Sequence, residues 1–380
     1  MAAATTTTTA TATPEVGNPL PSGAELAQGQ PGPKFAERIV QWQRQHGRHG
    51  LPWQHSRDPY RVWLSEIMLQ QTQVATVMGY YERFLQRFPD VAALAAASQD
   101  EVLALWSGLG YYSRARNLHR CAQVVVAEHG GAFPAHSTAL VDLPGIGRST
   151  AAAIAAFCFD ERVAILDGNV KRVLTRALGF GHDLAQARHE QALWQQAQAL
   201  LPAHGIVAYT QGLMDLGASL CAARQPDCAA CPVAELCVAR QQGRPLDYPV
   251  KSRKLKRQHM RHSLLWLTHR EQVWLVQRPA SGVWAALWSL PEFADEQDLL
   301  ALTHGWPGQH ETVAPITHVL THRDWLLQPQ RWHWPDRLAA KLLQRLEASL
   351  PAGRWVLQSQ ALSLGLPAPI RRWLEADLGG

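Results

Sequence analysis

The chain has 380 residues, 47% of them hydrophobic, and a formal net charge of +5 at pH 7. That length allows two or three domains and a sizeable core. No apolar run approaches the roughly 18 residues that a membrane-spanning helix requires, so no membrane partner is expected.

Residues 1–33 carry no Lys or Arg and are rich in Thr, Ala, Pro and Gly. Such a segment is neither a secretory signal nor an Arg-rich transit peptide. It is expected to be a disordered tail, and the protein to be cytoplasmic, nucleoid-associated if bacterial. From residue 34 to about 220 the apolar spacing is helical nearly throughout. In PYRVWLSEIMLQQTQVATVM, 59–78, Tyr60, Trp63, Leu64 and Ile67 share a stripe, with Pro59 in the first turn and Asp58 as its cap. Glu66 lies beside that stripe. A lone glutamate is ordinarily a solvated charge, but this one has apolar and amide neighbours, which raise a carboxyl pKa and suit a general acid. Further helical runs cover 34–46, 79–88, 98–106, 113–129, 149–159, 169–178, 187–200 and 206–219.

The stretch VDLPGIGRST, 141–150, is a glycine turn that opens a helix. No strand precedes it and it has no Gly-Lys-Ser/Thr ending, so a nucleotide loop is disfavoured. A helix–hairpin–helix turn would hold a nucleic-acid phosphate on backbone N–H groups; a plain helix connection is the alternative. Asp167, in ILDGNVKR, precedes a helix that carries Val170, Val173, Leu174 and Ala177 on one face. It reads as an N-cap, and its carboxylate could also serve chemistry. Asn169, Lys171 and Arg172 beside it suit a helix end that grips a backbone.

Cys221, Cys228, Cys231 and Cys237 follow as C-x6-C-x2-C-x5-C, while Cys121 and Cys158 stand alone in helical patterns as core residues. One compact loop of four thiols suits a [4Fe–4S] cluster better than zinc, which usually takes two separated C-x2-4-C arms. Residues 241–257 form a basic linker ending in KSRKLKR, 251–257. Beyond it, HSLLWLTH and QVWLVQRP signal a hairpin. Ten of the 15 tryptophans follow residue 258, so 258–380 is expected to be a separate α+β domain. Basic residues outnumber acidic ones 25 to 18 over 34–257 and match them 11 to 11 thereafter. A surplus confined to the first part points to nucleic acid as partner; a solvated linker is the alternative.

WLSEIMLQQTQV, LWSGLGYYSRARNLH, LPGIGRSTA, LDGNVKRVL, MDLGASLC and the cysteine loop together resemble, in order and spacing, the adenine-specific mismatch DNA glycosylases, the MutY family of the endonuclease III superfamily. The resemblance is dense over 34–250 and looser over 258–380. It implies a mainly α helix–hairpin–helix glycosylase domain over 34–240 with a [4Fe–4S] loop, joined to an α+β Nudix-like domain over 258–380. The implied activity is excision of adenine paired with 8-oxoguanine or guanine in double-stranded DNA by a monomer. A non-catalytic iron–sulfur DNA-binding relative is the alternative, against which the pair Glu66 and Asp167 argues.

The resemblance makes Glu66 the acid that protonates adenine N7, Asp167 the carboxylate that stabilises the sugar cation, and Asn169 their polar partner. Gln71, Leu109 and Tyr111 would fill or probe the gap at the mispair. Trp53, Leu69 and Gln211 would border the extruded adenine. Gly145 and Gly147 would present backbone groups to phosphate, with a monovalent cation as a further expectation. Ser149 stands where strand-cleaving relatives carry a Schiff-base lysine, so little or no lyase activity is implied, with Lys171 as an occasional trap. Arg224, the one basic residue of AARQPD between Cys221 and Cys228, would grip phosphate. The second domain resembles the MutT-like 8-oxoguanine reader of the same family. It lacks the acidic R-E-x-x-E-E signature, so no pyrophosphate hydrolysis is expected. Its reading loop would be ITHVLTHRDW, 316–325, where Leu320-Thr321-His322 replaces a Phe-Ser-His common in the family; an ordinary hairpin tip is the alternative.

Overall fold

The computed structural model describes residues 32–250, 252 and 257–378. The expected tail and most of the run 251–257 lie outside the described residues.

The first 218 residues contain eleven described α-helices: α1 (Gly32–His46), α2 (Pro59–Leu69), α3 (Val74–Arg87), α4 (Val91–Ala96), α5 (Gln99–Trp106), α6 (Ser113–His129), α7 (Ser137–Leu140), α8 (Arg148–Phe159), α9 (Gly168–Leu178), α10 (Ala187–Ala199) and α11 (Ile206–Ala218). The sequence periodicity through 59–78 reads as one helix, but the chain breaks at Gln70–Gln73 into α2 and α3. Arg114 on α6 explains the break. Its guanidinium donates to the main-chain oxygens of Ile67, Met68 and Gln70 at 2.7–2.9 Å, ending the α2 ladder early. Gln71 then turns left-handed, with φ +58°.

Helix α8, RSTAAAIAAFCF, is buried on nearly every side because alanines let helices approach from several directions. Ala151, Ile154 and Ala155 join a core with α2–α6. Ala152, Ala153 and Ala156 join a second core with α1 and α9–α11. The helical unit thus has two lobes with α8 as their shared wall. After α11 come the cysteine loop and a short helix, α12 (Val238–Gln241).

From residue 258 the chain forms an eight-stranded sheet with α13 (Glu296–Thr303), α14 (Ala340–Ser349), α15 (Gln358–Ala361) and α16 (Ala368–Leu378) against it. The hairpin expected from HSLLWLTH and QVWLVQRP is the antiparallel pair β1 (Gln258–His269) and β2 (Gln272–Gln277). β1 also pairs with β7 (Arg323–Trp334), the seventh of the eight strands, parallel over twelve residue pairs. Side chains alternate across β1. Leu265 and Leu267 face a core with α13 and α14. Leu264 and Trp266 belong to the core of the first helical lobe, which both units share. At that joint Leu366 O accepts from Ser107 Oγ at 3.0 Å and from Tyr112 OH at 3.1 Å, and Arg116 Nη1 donates to Ala285 O at 2.7 Å. A Cβ on Gly365 would lie 2.5 Å from the Leu103 Cβ, so only glycine lets the two backbones come this close.

Candidate active site

A cleft of about 1770 Å³ opens between the two helical lobes. Glu66 reaches it from the last turns of α2, and Asp167 from the start of α9. The Asp167 carboxylate caps α9, accepting from the Val170 N–H at 2.7 Å, so its capping role is real. Asn169 is the second residue of α9, and its Oδ1 accepts from Arg172 Nη2 at 2.8 Å. Trp53, Leu69, Gln211, Gln71 and Ser149 line the same cleft.

Burial pushes the Glu66 carboxyl up to about 7, and the charge of Asp167 adds to the rise. Burial raises Asp167 as well, opposed by main-chain N–H groups of Val170 and Asn169 and by the charges of Arg172 and Lys171. The pair is thus graded: among the described residues one carboxyl is given no hydrogen-bond donor, while the other has donors and cations around it. That is how two carboxyls take acid and anion roles in one site.

Ser149 is held by its fold neighbours: its Oγ accepts from the Leu166 N–H at 3.2 Å. Trp53 is buried with its ring edge-on to Tyr81, 5.2 Å between centroids.

The remaining expected positions lie outside the cleft. Tyr111 is 45% exposed with φ +49°, a left-handed residue like Gln71. Strained, exposed residues of this kind cluster at functional sites. The Tyr111 hydroxyl meets Thr321 Oγ1 at 2.6 Å. The loop 320–322 is the tip of an antiparallel hairpin between β6 (Ile316–Val319) and β7, with Leu320 against the shared core and Thr321 and His322 exposed. Leu109, in contrast, is buried at 6% exposure. Lys171 is ion-paired to Glu190 at 2.6 Å, and Arg224 is exposed.

At the glycine turn, Gly145 has φ +78°, and a Cβ there would lie 2.6 Å from the Asn117 Cβ. Gly147 caps α8 with nothing within 4 Å of where its Cβ would be. The first-turn N–H groups of α8, which have no partner within the helix, open beside that space.

Cys221, Cys228, Cys231 and Cys237 are free and half-buried. Burial, and the neighbouring cysteines, push the Cys231 thiol up to about 11. Among the described residues no group of three or more His, Cys, Asp or Glu side chains is drawn together as round a single metal ion. Arg176 on α9 donates to Cys221 Sγ at 3.3 Å and to Ala222 O at 2.8 Å, and Arg172 to Cys221 O at 2.9 Å.

Sequence patterns missed three organising residues. Arg114, Arg176 and Asp215 act through contacts 40 or more positions away. Only Asp215 carried a local signal, a lone acid within the apolar helix IVAYTQGLMDLGA.

Residues 64–198 match the family described as HhH-GPD superfamily base excision DNA repair protein, and residues 262–376 match the NUDIX domain. The helical unit is an HhH-GPD domain and the sheet unit is Nudix-like. The chain is 32% identical over 349 residues to the adenine DNA glycosylase of Buchnera aphidicola subsp. Schizaphis graminum, covering 90% of this chain and 98% of that one. It is 36% identical to the adenine DNA glycosylase of Mus musculus, over 82% of this chain and 66% of that one. A solved thermostable thymine-DNA glycosylase aligns with 55% of this chain and 95% of its own, at 30% identity and a TM-score of 0.49. No helix among the described residues is long and apolar enough to cross a membrane.

Proposed function

We propose that this chain, which belongs to the adenine DNA glycosylases of the HhH-GPD superfamily, removes adenine paired with 8-oxoguanine or guanine from double-stranded DNA without cutting the strand. It is a base excision repair enzyme, a hydrolase of N-glycosyl bonds. The observation that carries the excision chemistry is the pair of carboxyls in one cleft, Glu66 raised to about 7 with Asp167 as its charged neighbour.

The target adenine leaves the stack and enters the cleft. Glu66 donates its proton to adenine N7, which turns the base into a leaving group. The C1′–N9 electron pair goes to the base, and the sugar becomes an oxocarbenium-like cation. Asp167, ionised, stabilises that cation until water adds to C1′ and gives its proton to the Glu66 carboxylate, which restores the acid. Asn169 has its oxygen tied to Arg172, so its amide NH2 is the end left for the site. Trp53, Leu69 and Gln211 border the base. Gln71 and Tyr111, strained and exposed, fill the gap in the duplex. Leu109 supports them from within the core. The hairpin glycines and the first turn of α8, with a monovalent cation at the hairpin, hold the DNA backbone with help from Arg224. Leu320, Thr321 and His322 read 8-oxoguanine in the opposite strand.

Ser149 has no amine to attack C1′, which supports hydrolysis without strand cleavage; Lys171, held by Glu190, is at most an occasional trap. The family implies a [4Fe–4S] cluster, and the donor set fits: four free thiols in one half-buried loop, held by two arginines of α9. Cys221, Cys228, Cys231 and Cys237 would hold it. When bound it takes four thiolates and cross-links the loop. We further infer that the glycosylase unit spans 34–240, a linker 241–257 and the reader 258–380, and that the chain acts as a monomer in the cytoplasm, at the nucleoid of a bacterium.

The test is a labelled duplex with adenine opposite 8-oxoguanine, treated with the enzyme and then with alkali. Strand breaks are expected only after alkali. Breaks without alkali overturn the hydrolytic assignment, and none after alkali overturns the substrate.

A further inference from the structure

Asp215 is a buried carboxylate, 2% exposed on α11, which the mechanism above leaves unused. Its Oδ2 accepts from the Arg48 main-chain N–H at 3.0 Å. Its Oδ1 accepts from Arg48 Nε at 2.6 Å and from Gln211 Nε2 at 2.8 Å. A carboxylate in an ion pair has only acceptors to offer. The Gln211 amide must therefore turn its NH2 toward Asp215. Its Oε1 is then the end presented to the cleft that Gln211 lines together with Glu66 and Asp167.

We infer that Asp215 is a positioning residue that sets base specificity: by holding the NH2 of Gln211 it aims an amide oxygen at the extruded base. The inference rests on the reading that adenine occupies this cleft. Adenine carries a donor, N6–H2, at C6, where guanine and hypoxanthine carry an oxygen. A fixed acceptor pairs with the first and repels the second. Unpaired polar groups in a closed site discriminate strongly against the wrong base.

The variant Asp215→Asn should invert the amide. The Arg48 main-chain N–H is fixed, so the asparagine oxygen stays with it and the new NH2 takes the Oδ1 position. The Arg48 side chain, 39% exposed, is free to swing away. Gln211 then pairs through its own oxygen and turns its NH2 to the cleft. Single-turnover excision of adenine, hypoxanthine and unsubstituted purine, each opposite 8-oxoguanine, reads the outcome. The ratio of adenine to hypoxanthine rates should fall about tenfold or more, and purine, with neither group at C6, should change least. Gln211→Glu alone sets two carboxylates against each other and should lose adenine excision. Adding Asp215→Asn to it gives the glutamate a donor partner and keeps an oxygen on the cleft, so adenine preference should return even if Asp215→Asn alone folds poorly. If Asp215→Asn slows all three bases by one factor, or the double variant fails to restore preference, the inference is overturned while the cleft reading stands. A wild-type chain that releases no adenine overturns both.

Discussion

The Glu66 carboxyl is pushed up to about 7 by burial and by Asp167. Its acid form is therefore present below that pH and lost above it. Excision should decline about tenfold per pH unit above pH 7, and Glu66→Gln should cost about 10²–10⁴ in rate while leaving DNA binding intact; normal excision by that variant would remove the acid from the mechanism. Stability carries the opposite mark. The folded chain holds a proton on Glu66 that the unfolded chain has released above the ordinary carboxyl range, so this residue destabilises the fold progressively as pH rises from about 4.5 to 7. Glu66→Gln should raise the melting temperature at pH 8 and leave it unchanged at pH 4, which differential scanning would detect. Asp167 has two duties, and two substitutions separate them. Asparagine caps a helix about as well as aspartate, whereas alanine loses about 1 kcal/mol. Asp167→Asn should melt no lower than the wild type and Asp167→Ala below Asp167→Asn, with both inactive in excision; an active Asp167→Asn would leave the carboxylate as a cap alone.

At the scale of elements, the glycine turn joining α7 to α8 makes a matched pair of predictions. Gly145 has φ +78° and packs against Asn117, so Gly145→Ala should destabilise the chain by about 1–3 kcal/mol in denaturant titration. Gly147 has φ −84° and open space, so Gly147→Ala should fold normally yet weaken duplex binding in a fluorescence titration, because its methyl group stands where phosphate would approach. If Gly147→Ala bound duplex normally, this face would not be the phosphate site. These two elements were legible in the sequence because cap and turn chemistry is local: Asp58, Asp167 and Gly145 sit next to what they stabilise. The break in 59–78 was not legible, since it is made by Arg114 more than 40 residues away. Nor was the β1–β7 pair, because a parallel partner 65 positions on leaves no mark in either strand. At the site, Glu66 and Asp167 stood out through neighbours in sequence. Asp215 and Arg176 act through neighbours in space. Leu109 shows the same limit: its position in the motif carried a role, but not its burial.

Across the whole molecule, the first helical lobe and the sheet share one core, with Leu103, Trp106 and Tyr112 on one side and Leu287, Leu366 and Ile370 on the other. Separating them would expose those side chains together, and exposed apolar patches favour association. The chain should therefore unfold in one calorimetric transition, and two well-separated transitions would mean that the units are stable apart. Gly365 should be the sensitive point of the joint: with its Cβ position 2.5 Å from that of Leu103, Gly365→Val should lower the melting temperature of both units together.

The Tyr111–Thr321 hydrogen bond joins an exposed residue of one unit to the hairpin tip of the other, at 2.6 Å. Leu320, next to Thr321, packs on the shared core, so this contact carries the joint out to the surface. A change on one side of this contact then calls for a fitting change on the other. A chimera that grafts the sheet half of a distant relative onto this helical half would bring a foreign hairpin tip to Tyr111 and a foreign side chain to Leu103, and the ancestry of one half constrains which changes the other can accept.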